Sequence, residues 1–215
     1  MAQLSLGQAE PNDATPFLPE QRNLKTLRDA AAACQGCHLW RHATQTVFGE
    51  GLKRSHVMFV GEQPGDQEDR QGRPFVGPAG RELDKALEAV GIARDDVYIT
   101  NVVKHFKFEE RGRRRIHQTP KRFEIDACSP WLEEELRVVD PTALVLLGAT
   151  AAKALLGSSF RLTQHRGELL DSDLASIVTA TIHPSAILRA PDDAARTEQR
   201  ETFADDLRVV ARALA

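Results

Sequence analysis

Cysteine is scarce: the 215 residues contain three, Cys34, Cys37 and Cys128. So small and odd a number argues against a disulfide framework and in favour of a metal or cluster site. Long hydrophobic runs are also missing. No segment approaches the ~20 apolar residues of a membrane helix, and no basic stretch followed by a hydrophobic one opens the chain. A cytoplasmic location with no membrane partner is therefore expected. Positive charge is not in excess, since 28 Lys and Arg stand against 31 Asp and Glu, a net charge of −3. This argues against nonspecific coating of nucleic acid but leaves room for a local basic patch. No internal repeat is found. The length suits one domain with a sizeable core.

Residues 1–22 are polar, include Pro11, Pro16 and Pro19, and read as a flexible arm. Residues 23–215 read as a single domain. Within it, four short apolar runs are expected as strands, over 57–61, 97–101, 144–148 and 177–181. Helical spacing covers 23–33, 81–90, 122–139, 150–156 and 200–213. Strands alternating with helices in this way predict βαβ units and a parallel sheet covered on both faces.

The most informative stretch is Gly61–Gly80, GEQPGDQEDRQGRPFVGPAG. It follows the first strand and precedes a helix, and ligands of open α/β sheets sit at the carboxyl ends of strands. Glycines such as Gly61 and Gly65 let backbone approach a ligand. Glu62, Gln63, Asp66, Glu68 and Asp69 crowd acids and an amide into the same turn, and no core obviously claims Phe75. Asn101 closes the second strand and should face the same crevice, its amide suited to the edge of a base. His183-Pro184-Ser185 closes the fourth. The segment 104–122 carries eight Lys and Arg against two Glu, and includes Arg113, Arg114, Arg115 and His117. A charge run is usually a solvated face; its functional form neutralises phosphate. Cys34-x-x-Cys37 and Cys128 need a fourth ligand for zinc or an iron–sulfur cluster, and His105 is the candidate. Three buried cysteines acting as small hydrophobes are the bland alternative.

Taken together, the 61–80 stretch resembles motif one of the uracil-DNA glycosylase superfamily, closest to its iron–sulfur branch (families 4 and 5). His183-Pro184-Ser185-Ala186-Ile187-Leu188-Arg189 is similar to the second motif. The branch usually has Ala at the position of Gln63 and Cys at that of His105. These departures, with the inserted Arg113-Arg114-Arg115-Ile116-His117 loop, resemble the UdgX subgroup, which attaches itself covalently to uracil-containing DNA.

The resemblance implies a three-layer α/β/α sandwich around a four-stranded parallel sheet. It also implies a structural [4Fe–4S] cluster on Cys34, Cys37, Cys128 and His105. The implied partner is uracil-containing DNA, single-stranded in preference, bound by a monomer. In the implied mechanism Phe75 stacks on the flipped uracil within a cradle that includes Gly61, Gly65 and Asp66, Asn101 reads its edge, and His183 donates to O2. His117 then attacks C1′, oriented by Glu62, while Gln63 holds the basic loop. Arg113, Arg114, Arg115 and Ser185 contact the strand. The rival readings are an ordinary multiple-turnover glycosylase, a non-enzymatic binder of uracil-DNA, and structural zinc in place of the cluster.

Overall fold

Asn23 starts the first α-helix, because its side chain accepts the Lys25 and Thr26 N–H groups while the Thr26 hydroxyl accepts the Asn23 N–H. This capping box satisfies donors that a helix start leaves open. In the computed structural model, which describes residues 13–215, it opens α1 (Leu24–Ala31). The chain continues through β1 (Val57–Gly61), α2 (Asp66–Gln71), α3 (Pro78–Ala89), β2 (Val97–Asn101), β3 (Phe108–Arg111) and β4 (Arg114–His117). It ends through α4 (Arg122–Val139), β5 (Ala143–Leu147), α5 (Ala149–Leu156), α6 (Leu162–His165), β6 (Leu169–Leu170), β7 (Ile177–Thr181), α7 (Ser185–Leu188) and α8 (Asp193–Leu214).

The central sheet has the order β2-β1-β5-β7-β6, parallel except for β6. It thus has five strands, not the expected four. The extra strand is a two-residue edge in which Leu169 and Leu170 pair antiparallel with Thr179 and Val178, too short for any period to show in sequence. Strands β1, β2 and β5 are buried along their whole length, as a sheet covered on both faces requires. Met58, Val60, Tyr98, Leu144 and Leu146 pack with α1, α4 and α5, through Leu27, Trp131, Leu132, Ala151 and Ala152. Val57, Phe59, Ile99, Val145 and Leu147 pack on the opposite face with α3, α7 and α8, through Leu83, Leu87, Ile187, Phe203 and Leu207.

Of the expected N-terminal arm, residues 1–12 lie outside the described residues. Ala14 is buried, and its N–H donates to the Ala127 carbonyl of α4 at 2.8 Å. Strands β3 and β4 form a separate antiparallel hairpin, pairing Phe108 with His117 and turning at Gly112 with φ 61°. The basic segment is therefore an ordered ribbon where the sequence suggested a loop. Among the described residues, no helix is long and apolar enough to cross a membrane.

From β1 the chain moves outward to β2, then returns across β1 to β5, so the direction of winding reverses between β1 and β5. A doubly wound sheet opens its ligand crevice at such a reversal, beyond the strands' carboxyl ends. Gly61 and Asn101 are paired in register at that edge, and Leu147 is paired with Thr181. The residues that follow these ends build the site.

Candidate active site

The floor of the crevice is a close packing of Gly61, Phe75 and Asn101. A Cβ at Gly61 would lie 2.4 Å from Asn101 Oδ1 and 2.6 Å from the Phe75 ring, so only glycine lets amide and ring converge. Phe75 has φ 53°, a conformation that bulky residues avoid. A Cβ at Gly80 would come within 1.8 Å of the Phe75 carbonyl oxygen, so the fold closes tightly around this turn. Contrary to the sequence reading, a core does claim Phe75: it is 5% exposed and packs in the Leu83–Ile187 cluster, with its ring 5.7 Å from that of His183. Asn101 is 1% exposed and its Oδ1 is buried without a hydrogen-bond partner. A buried acceptor left open costs about 1–3 kcal/mol, which a ligand N–H would recover.

His183 is locked in one tautomer. Its Nδ1 accepts the Ser185 backbone N–H at 3.2 Å and lies 2.8 Å from Ser185 Oγ, which in turn accepts from Arg189 at 3.0 Å. With Nδ1 occupied as an acceptor, the ring proton sits on Nε2. Burial lowers the His183 pKa to about 4, with Glu62 pulling it up and His117 and Arg189 pushing it down. At neutral pH the ring is an uncharged donor through Nε2. The expected role of Ser185 on the strand thus gives way, in the geometry, to a hydrogen bond that orients His183.

Across the crevice His117, at the end of β4, places Nε2 3.3 Å from Glu62 Oε1. The other oxygen of Glu62 accepts the Thr150 hydroxyl from the start of α5. Burial pushes the Glu62 pKa up, but the bonds from His117 and Thr150 and the charges of His117 and His183 outweigh it, and the net shift is downward. Glu62 is therefore a carboxylate facing an imidazole. The His117 side chain remains 48% exposed, open to a ligand entering from solvent.

The neighbouring residues fix the hairpin that carries His117. Gln63 donates to the carbonyls of Lys107 (3.2 Å) and Gln118 (3.0 Å) and accepts the Lys107 N–H (2.9 Å), joining both feet of the ribbon. Arg115 bonds Asp66 and, at 2.6 Å, Asp69, and its guanidinium lies 4.9 Å over the Phe108 ring. This corrects two expectations: Arg115 is spent inside the protein and is not a free phosphate contact, and Asp66 pairs with it and with Arg70. Arg113 and Arg114 are exposed. Gly65 lends its N–H to Glu68, which also caps Gly77, so its part in the described geometry is to fold the loop.

On the far side of β2, the three cysteines gather in one region. Cys34 Sγ accepts the Trp131 indole N–H at 3.2 Å, and Cys128 Sγ accepts the Lys104 N–H at 3.3 Å. Burial pushes the Cys128 thiol to about 12 and raises Cys37, and the neighbouring cysteines push both further up. His105 is buried and kept neutral by a burial-lowered pKa of about 4, with Nε2 2.9 Å from Thr46 Oγ1. This donor set suits soft thiolate chemistry with N–H groups already turned to sulfur. Among the described residues, no three His, Cys, Asp or Glu side chains converge closely enough to hold a single metal ion.

One participant escaped the sequence reading. Thr150 follows β5 in Gly148-Ala149-Thr150, and its position one turn beyond a strand's carboxyl end was the available signal. Asp69 belongs to the acidic turn the sequence singles out, but its partner Arg115 is set by the fold, which buries the carboxylate completely.

Comparison with known proteins places the chain in a family. Residues 48–208 match the sequence model of the Uracil DNA glycosylase superfamily. A type-4 uracil-DNA glycosylase of Sulfurisphaera tokodaii is 37% identical over 178 residues, covering 79% of this chain and 78% of the relative. One from Thermotoga maritima is 38% identical over 167 residues, covering 77% and 83%. A type-5 uracil-DNA glycosylase of Pyrobaculum aerophilum is 34% identical over 167 residues, covering 69% of each. The chain belongs to the uracil-DNA glycosylase superfamily.

Proposed function

We propose that this protein excises uracil from DNA and is left joined through His117 to C1′ of the resulting sugar, one turnover per molecule. The observation that carries the reading is the 3.3 Å approach of His117 to an ionised Glu62, at the mouth of a pocket holding the open Asn101 acceptor and a neutral His183.

A base must leave the stack before its glycosidic bond can be reached. Phe75 then offers a ring face to the flipped uracil. Asn101 Oδ1 accepts the uracil N3–H, the bond for which that buried acceptor has no protein partner. His183 Nε2–H donates to O2. As the C1′–N1 bond breaks, its electron pair stays with uracil, and the His183 donor stabilises the anion. The sugar left behind is oxocarbenium-like at C1′. An imidazole nitrogen of His117 gives its lone pair to C1′, and the imidazolium so formed loses its remaining N–H proton to Glu62 or to solvent. This is carboxylate-assisted nucleophilic catalysis. Imidazole bound at C1′ leaves poorly, so the adduct persists. Gln63 sets the reach of His117 by fixing the hairpin's feet. The exposed Arg113 and Arg114 neutralise phosphates, so the encounter weakens with salt and the finished adduct does not.

We further propose that Cys34, Cys37, Cys128 and His105 hold a [4Fe–4S] cluster. The gathered thiols, the N–H groups directed at sulfur and the neutral imidazole support this assignment. The cluster's contribution would be structural, tying the segment after α1, the strand β2 exit and α4 together.

The deciding experiment is denaturing electrophoresis after incubation with a labelled single-stranded oligonucleotide containing one uracil. A shifted band that survives SDS and heat is expected. Free-mobility product that breaks in alkali would make this an ordinary multiple-turnover glycosylase, and an alkali-stable unshifted strand would leave only binding.

The same assay tests Thr150. Thr150→Val keeps the shape but removes the hydroxyl that lowers the Glu62 pKa. Glu62 then protonates at higher pH, so the acid limb of the capture rate moves upward in pH, by about one unit for a lost hydrogen bond to a charged group. An unshifted limb would remove Thr150 from the mechanism.

A further inference from the structure

At the start of α4, Phe123 is 55% exposed, one of four large apolar side chains left open among the described residues. A single exposed aromatic needs no explanation by itself. This one is supported from beneath. The His38 ring stacks on it at 5.8 Å between centroids and 29° between planes. His38 is fixed by Glu124, whose Oε1 lies 3.2 Å from its Nε2. Glu124 is 1% exposed and also holds Lys107 Nζ at 2.8 Å. Lys107 in turn is bonded through its backbone to Gln63, the neighbour of Glu62. A continuous set of contacts therefore runs from the capture site to the Phe123–His38 pair.

The topology places that pair at the same end of the sheet as the crevice. Helix α4 spans 18 residues, ~27 Å at 1.5 Å per residue. It delivers the chain to Ala143, which is in register with Val57, the first residue of β1. The end of α4 thus lies at the amino edge of the sheet, and its beginning at the carboxyl edge. Phe123 follows His117 by six residues, ~20 Å at most if extended, a distance that a few nucleotides of an open strand can cover. Cations lie near it: Lys121 and Arg122 precede it and are exposed, Arg122 in an ion pair with Asp126 at 2.7 Å, and the exposed Arg113 and Arg114 lie on the hairpin that leads to it, beside the exposed Glu109 and Glu110. Aromatic faces set beside positive charge form a stacking platform for unpaired bases.

We propose that Phe123, braced by His38, is a second base-binding subsite, which stacks an unpaired base of the strand flanking the flipped nucleotide. The placement of that base rests on the capture reading above; the stacking does not. A duplex keeps its flanking bases stacked and paired, so this subsite selects for single strands.

The test compares wild type, Phe123→Leu and Phe123→Trp on uracil oligonucleotides whose flanking bases are natural or, on the 5′ or 3′ side in turn, replaced by tetrahydrofuran spacers. Wild type should capture the natural strand about tenfold faster than the strand lacking bases on one particular side. Phe123→Leu should show the slow rate on the natural strand and lose nothing more on the spacer strand, whereas Phe123→Trp should retain the fast rate. Equal rates for Phe123→Leu and wild type on the natural strand would overturn the proposal. So would equal slowing of Phe123→Leu on both strands, which would mark a structural defect. Binding of a uracil-free oligothymidylate, followed by anisotropy, decides the matter independently of chemistry. Phe123→Leu should bind it about tenfold more weakly, and an unchanged Kd overturns the platform even if wild type captures nothing and the capture reading has failed by itself.

Discussion

His117→Ser should abolish the SDS-resistant adduct and convert the protein into one that releases uracil repeatedly. Two events at the same carbon are separable. In the proposed mechanism, breaking the C1′–N1 bond depends on His183 and Asn101, neither of which His117 touches by a hydrogen bond. Filling the vacated position depends on which nucleophile is nearer. His117 reaches the crevice from the end of β4, opposite Glu62, and in the proposed mechanism it competes with water for that carbon. Serine is shorter and a weaker nucleophile, so water gains access beside Glu62, and the product becomes an abasic site that dissociates. Stability should hardly change, since the side chain is half exposed and substitutions at such sites fall within about 0.5 kcal/mol. The measurement is free uracil per mole of protein beside the gel. Wild type should stop at one equivalent, and His117→Ser should pass it. A variant that still cross-links would assign the nucleophile elsewhere.

The sequence made the site legible wherever a residue's role follows from its place at a strand's carboxyl end. Gly61, Asn101 and His183 close apolar runs, so a parallel sheet puts them at one edge whatever the helices do. Glu62 and Gln63 are carried along by adjacency. Roles that depend on long-range partners could not be read in this way. Arg115 stands in a row with Arg113 and Arg114, and nothing local distinguishes the one that turns inward. Only the fold brings Asp66 and Asp69 across to pair with it. Phe75 looked free because it stands in a loop rich in glycine and proline with no apolar period, while its neighbours in space are Leu83 and Ile187. Ser185 sits in a motif that suggests contact with the strand, yet its hydroxyl and N–H are turned to His183. The fifth strand and the β3–β4 ribbon were missed for a related reason. A two-residue edge has no period, and the alternation of the ribbon is masked by arginine and glutamate on both faces.

His183→Ala should depress uracil release and adduct formation together, by about 10²–10³-fold, the loss expected for one preorganised donor to a developing anion. The two outputs fall in step because capture needs the sugar cation that cleavage supplies. This sets the variant apart from His117→Ser, which divides them. The donor must also be independent of pH over the ordinary range. A histidine at its usual pKa, near 6.5, would change charge there. Burial holds this one at about 4, so the neutral Nε2–H form persists from pH 8 down to about 5, and His183 should contribute no step near pH 6.5 to the rate of uracil release. His183→Gln keeps a donor on a longer side chain and should recover part of the loss, since the requirement is for a hydrogen bond and not for a titrating group. A deficit below tenfold in His183→Ala would move the stabilising role to another group. A wild-type profile breaking near pH 6.5, absent from His183→Gln, would mean that the imidazole acts as a charged acid, and that the lock formed by Ser185 and Arg189 yields when substrate binds.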